Sequence, residues 1–76
     1  MITIRCAHCR KKIFKYNKIG KGRILYCWKE RIKEDYTKRE GDKVLCECGK
    51  LIGIDEKIRI RMKQNSFIYS GHIKNK

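Results

Sequence analysis

The chain has 76 residues, five of them cysteine, and sets 21 Lys and Arg against 8 Asp and Glu for a formal charge of +13. That length holds one domain and buries only about 60% of the unfolded surface, so a staple is expected: disulfides, a metal or a partner copy. No run approaches the roughly 18 consecutive apolar residues of a membrane span, and five thiols cannot close in pairs as a secreted disulfide framework would.

The opening, Met1 to Arg5, has no charged lead-in followed by an apolar run, so no export signal is expected and the thiols belong in a reducing cytoplasm. Ile2-Thr3-Ile4-Arg5 alternates as a half-buried strand does and runs into Cys6-Ala7-His8-Cys9. Ile13-Phe14-Lys15-Tyr16 and Arg23-Ile24-Leu25-Tyr26-Cys27 read as two further strands. A hairpin turn is expected between them at Ile19-Gly20-Lys21-Gly22, where glycine accepts positive φ. Trp28 to Glu40 reads two ways. Trp28, Ile32 and Tyr36 recur at every fourth residue and Glu34 stands four before Lys38, which suits a short helix ending near Gly41. The same residues suit a strand with a charged loop, and their strand-like neighbours favour that reading.

Val44-Leu45-Cys46 and Leu51-Ile52-Gly53-Ile54 flank the second cysteine pair. Ile58-Arg59-Ile60-Arg61-Met62-Lys63 is the cleanest alternation in the chain, apolar residues to one side and cations to the other. Phe67-Ile68-Tyr69 reads as a last strand, and His72 to Lys76 as a frayed basic tail. The expected fold is a small mostly-β zinc-binding domain, zinc-ribbon or β-tent-like, spanning residues 1–76 as a single unit, with at most one short helix near 28–40.

The chemistry lies in the cysteines. Cys6 and Cys9 have the two-residue spacing of a zinc knuckle, while Cys46-Glu47-Cys48 is one residue shorter. Zinc–sulfur bonds of about 2.3 Å in a tetrahedron set the sulfurs about 3.8 Å apart. In an extended strand, residues i and i+2 lie about 6.6 Å apart, so both thiols of the second pair can ligate only if the chain curls. Gly49 supplies that freedom through positive φ. The expected site is therefore one structural Zn2+ on Cys6, Cys9, Cys46 and Cys48. A rival set takes Cys6, Cys9 and Cys27 with one of Cys46 or Cys48, since spacing alone does not say which thiols converge; otherwise Cys27 is an inert core thiol. His8 and His72 read as surface residues once four cysteines are available.

Four thiolates and one zinc ion would still leave the chain at about +11. Such a field favours nucleic acid or another polyanion. A lysine-rich proteome would raise Lys and Glu together and so does not account for the shortage of acids. Lys11, Lys12, Lys15, Lys18, Lys21 and Arg23 crowd the first expected hairpin, interleaved with Phe14 and Tyr16, and Arg59, Arg61 and Lys63 should share one strand face. Cations neutralise phosphates and an exposed ring stacks on an unpaired base, which suits RNA better than major-groove reading by a helix. Against this stands the ordinary use of Phe14, Trp28 and Phe67 as core and of lysine as a solubilising residue.

Two resemblances bear on this. Ile4-Arg5-Cys6-Ala7-His8-Cys9, then Ile13-Phe14-Lys15 and Ile24-Leu25-Tyr26-Cys27, make residues 2–28 similar to the Com-like phage zinc-finger translational regulators, small proteins that bind messenger RNA. Where that family has a further cysteine, this chain has Glu30. Cys48-Gly49-Lys50-Leu51-Ile52-Gly53 separately resembles the second knuckle of Yippee-like and Mis18-like zinc-bound β folds, with a cysteine spacing one residue different. Both resemblances imply zinc on β structure, and the first implies RNA as ligand.

The expected function is thus a zinc domain binding nucleic acid, most of all RNA or a ribonucleoprotein. The alternative is a protein-interaction adaptor for an acidic partner or a subunit of a larger assembly. An enzyme is not expected: there is no His-x-Glu, no His-Glu-x-x-His and no phosphate loop.

Overall fold

The alternating segments do become strands. The computed structural model describes residues 1–19 and 22–71, and within them nine strands occur: β1 Ile2–Cys6, β2 Lys12–Tyr16, β3 Tyr26–Trp28, β4 Ile32–Asp35, β5 Lys38–Glu40, β6 Lys43–Leu45, β7 Leu51–Asp55, β8 Arg59–Met62 and β9 Phe67–Gly71. They form two sheets, one of four strands in the order β4-β2-β1-β9 and one of five in the order β3-β8-β7-β6-β5. Every pairing between them is antiparallel.

Inward residues of both sheets share one core. Ile2, Ile4, Phe14 and Tyr16 from the four-stranded sheet join Cys27, Val44, Ile52, Ile60 and Met62 from the five-stranded one. Register explains the alternation: Ile4 lies opposite Phe14 and Ile2 opposite Tyr16, while Thr3 opposite Lys15 and Arg5 opposite Lys12 face outward. Three register shifts interrupt the described ladders, one of them between Lys15 and Tyr16 against β4, and the other two alter the inward pattern. The shift between Ile4 and Arg5 lets Ile13 and Phe14 both turn inward, and that between Val44 and Leu45 does the same for Ile52 and Gly53.

Two expectations meet a definite answer. β2 and β3 are not a hairpin, because β1 and β4 already occupy both edges of β2, and β3 pairs instead with β8. The link between them crosses from one sheet to the other; Gly20 and Lys21 of the expected turn lie outside the described residues, as do His72 to Lys76. Between Trp28 and Glu40 the chain forms a single 3-10 turn, Lys29–Arg31, and then strand, as its neighbours suggested. The fourfold spacing of Trp28, Ile32 and Tyr36 loses to pairing: the Tyr36 N–H donates to the Ile13 carbonyl at 2.9 Å, extending the β4–β2 ladder. Asp35 then turns the chain by accepting from the Thr37 N–H and hydroxyl at 2.8 and 2.6 Å. Among the described residues no helix is long and apolar enough to cross a membrane.

Candidate metal centre

The two cysteine pairs sit where the sheets meet. β1 delivers Cys6 from the four-stranded sheet, and β6 leads into Cys46 from the five-stranded one. Both pairs are built on the same backbone device. In the first, the Cys6 N–H donates to the Lys11 carbonyl at 2.9 Å and the Arg10 N–H to the Cys6 carbonyl at 3.0 Å. In the second, the Cys46 N–H donates to the Lys50 carbonyl at 2.9 Å and the Gly49 N–H to the Cys46 carbonyl at 2.8 Å. Arg10 and Gly49 hold corresponding left-handed positions, at φ 67° and 95°. Glycine at position 49 therefore does what the sequence asked of it, and the shorter spacing of the second pair is absorbed in its loop.

The sulfurs converge. Cys6 Sγ lies 3.7 Å from Cys48 Sγ and Cys9 Sγ lies 3.3 Å from Cys46 Sγ. All four Sγ atoms fall within 4.8 Å of one another. Those separations match thiolates placed about 3.8 Å apart around a tetrahedral ion. Four soft sulfur donors with no carboxylate among them fit zinc best of the common divalent ions. Cys6 and Cys46 are buried, Cys9 is half-buried and Cys48 is exposed, so the cluster is covered on the core side and open to solvent on the other. An ion pair closes over it: Lys11 Nζ reaches Glu47 Oε1 at 3.1 Å, linking the two knuckles.

The thiols are unequal. Burial acts to raise the Cys6 thiol, yet the backbone N–H groups of Cys9 and His8 and the neighbouring thiols outweigh it and bring it down to about 7. The His8 N–H lies 3.3 Å from that sulfur. Burial dominates at Cys46 and pushes its thiol up, to about 12. Cys6 thus ionises more readily than Cys46.

Cys27, the rival ligand, is outside the cluster. β3 is three strands from β6 in the sheet order, a separation of about 14 Å at normal strand spacing. Cys27 instead faces inward opposite Ile60, fully buried, and burial pushes its thiol up to about 12. Glu30 is exposed on the 3-10 turn.

The expected phosphate contacts scatter over several surfaces. Lys12 and Lys15 share the outer face of the four-stranded sheet, where Lys12 stands directly opposite Arg5. Arg59 and Arg61 share the outer face of the five-stranded sheet, both paired with Glu56 at 3.0 and 3.1 Å. Lys63 and Arg23 are exposed, Lys11 is engaged by Glu47, and Lys18 is buried at 6% exposure. Lys21 lies outside the described residues.

Sequence reasoning missed the rings of β3. Phe14 is core, as expected, but Trp28 is only half-buried on the outer face, opposite Arg59, and Tyr26 lies beside it opposite Arg61. The Arg59 guanidinium sits over both rings, 4.0 Å from the Tyr26 centroid and 5.4 Å from that of Trp28. Alternation around an inward Cys27 is the signal that would have found them.

Fold and cluster together define a small, mostly β domain with a four-cysteine centre able to hold a metal ion. Comparison with family models, with curated proteins and with solved structures found no match for this chain.

Proposed function

We propose that this is a structural-zinc domain that binds nucleic acid, RNA above all, within a reducing cytoplasm. One Zn2+ on Cys6, Cys9, Cys46 and Cys48 joins the two sheets, and four thiolates leave it no open position for catalysis. The observation that carries the binding role is the placement of charge. All eight acids fall within residues 30–56, while residues 1–29 and 57–76 hold fifteen Lys and Arg and no acid. Those basic stretches supply β1, β2 and β9, adjacent in one sheet, and β3 and β8, adjacent in the other. A polyanion laid across β1, β2 and β9 meets cations from strands that carry no acid, while on β8 it competes with Glu56 for Arg59 and Arg61. The likeness of residues 2–28 to Com-like regulators supports RNA as the polyanion.

The test is a salt titration of the zinc-loaded chain with a labelled oligoribonucleotide, read by fluorescence anisotropy. Neutralising about six phosphates gives a slope of log K against log[salt] of about −4 to −5. A slope near zero, or no binding at about 50 mM salt, removes the nucleic-acid role.

A further inference from the structure

Two arginines and the outward rings of β3 meet where β2 ends near β3. A groove of about 210 Å3 is lined there by Tyr26 and Trp28 together with Arg23 and Arg31, with the buried Tyr16 and Lys18 at its floor. Among the described residues no Asp or Glu lines it. On the outer face of the five-stranded sheet the arginines are matched: Arg39 binds Asp35 and Asp55, and Arg59 and Arg61 bind Glu56. Arg23 and Arg31 have no such carboxylate among the described residues.

The rings are held rather than loose. The Trp28 backbone N–H donates to the Tyr16 hydroxyl at 3.0 Å, which fixes β3 to the end of β2. Arg59 packs over Tyr26 from the outer face. Trp28 also lines an apolar hollow with Lys29, Glu30 and Ile58, so its ring is reachable from two sides. Pockets for drug-sized ligands run to about 300–1,000 Å3, and this groove is smaller, of a size for one planar ring. An acidic peptide would satisfy the cations but make no use of the two outward rings, Tyr26 and Trp28. A nucleotide uses both.

We infer that the groove takes one unpaired nucleotide of a single-stranded nucleic acid, its base against Trp28 and Tyr26 and its phosphate on Arg23 and Arg31. This rests on the polyanion reading above and adds a place and a strandedness to it. In a duplex the ring faces are stacked away, so only an unpaired base can enter.

Trp28 is the chain's one tryptophan, so its fluorescence reports the groove directly. The zinc-loaded chain is titrated with oligo-A and oligo-U ribonucleotides of about ten residues, their deoxy counterparts, and a duplex of the same length. Expected are quenching of Trp28 by the single strands and not by the duplex, and single-strand affinity lowered about 5- to 150-fold by Trp28→Leu. Arg23→Gln, at an exposed position where refolding is not at issue, should weaken binding and reduce the salt slope by about one. Lys38→Gln, exposed on β5 at the opposite edge of the five-stranded sheet from β3, should leave the quenching at saturation unchanged. Single strands that bind wild type and Trp28→Leu equally, or that leave Trp28 unquenched, overturn the groove while the polyanion reading stands. Equal quenching by the duplex overturns the unpaired base. Binding of no oligonucleotide at all ends both readings together.

Discussion

Cys27 and Cys46 are the same side chain in two opposite roles, and solvent and neighbours decide which. Cys46 has three thiols around it; Cys27 has Ile60 across the ladder and no charge to share. A thiol fully shielded from water stays protonated, and the consequence for stability has a definite sign. The folded protein holds the Cys27 proton up to about 12, whereas the unfolded chain begins to release it at 9.0. Below pH 9 the group contributes nothing; above it the unfolded state gains, and stability is lost at about 1.4 kcal/mol per pH unit. Denaturation of wild type and Cys27→Ala, both zinc-loaded, should therefore differ by a constant amount up to pH 8. By pH 10 the wild type should have lost about 1.4 kcal/mol more than the variant. Parallel profiles across that range would show that Cys27 is not held neutral. Zinc content provides the complementary readout: Cys27→Ala keeps one ion per chain, and Cys46→Ser does not, because it removes one of four converging sulfurs.

At the scale of strands, the bulge in the β6–β7 ladder puts Gly53 against its neighbour β8. A Cβ at that position would lie 2.5 Å from the Arg61 carbonyl oxygen and 3.0 Å from Ile60 Cγ2. The clash is with backbone, so β7 and β8 would have to part, and Gly53→Ala is expected to destabilise by about 1–3 kcal/mol in chemical denaturation. A variant as stable as wild type would mean that the ladder is looser than this register. The same bulges mark the limit of what the sequence discloses. Period-2 alternation located β1 and β8, since one side of each is buried and the other wetter, while β2, β7 and β9 were legible only as short apolar runs. It could not show that Ile13 and Phe14 both turn inward, because a bulge depends on the partner strand's register rather than on local pattern. Nor could it forbid the β2–β3 hairpin, which fails only because other strands occupy both edges of β2. The cysteine site was legible for the opposite reason: spacing and Gly49 encode the knuckle locally, and tetrahedral sulfur geometry constrains the rest.

For the whole molecule, the segregated charge sets up two opposing responses to salt. The acids of residues 30–56 make short, local pairs. Asp55 binds Lys29 and Arg39 at 2.8 Å, and Arg39 binds Asp35 at 2.7 Å, so this chain of contacts ties β4 of one sheet to β5 and β7 of the other. The Lys29 ammonium and the Lys57 N–H hold the Asp55 carboxyl below the usual carboxylate range. Fifteen cations lie elsewhere, and although Lys11, Lys29, Arg59 and Arg61 join these pairs, the net positive excess repels over longer distances. The Debye length shrinks from about 10 Å at 0.1 M salt to about 3 Å at 1 M, so added salt weakens the spread-out repulsion before it weakens contacts near 3 Å. Folding should therefore strengthen with salt even as nucleic-acid affinity falls. Thermal melts of the zinc-saturated chain in KCl rising from about 0.05 to 0.5 M should show stability increasing by on the order of 1 kcal/mol. At the low-salt end, an oligoribonucleotide should raise the melting temperature by mass action, and that gain should fade as KCl rises. A melting temperature that drops steadily with KCl would mean that the ion pairs among the described residues outweigh the repulsion. The basic strands would then carry no self-repulsion for a polyanion to relieve.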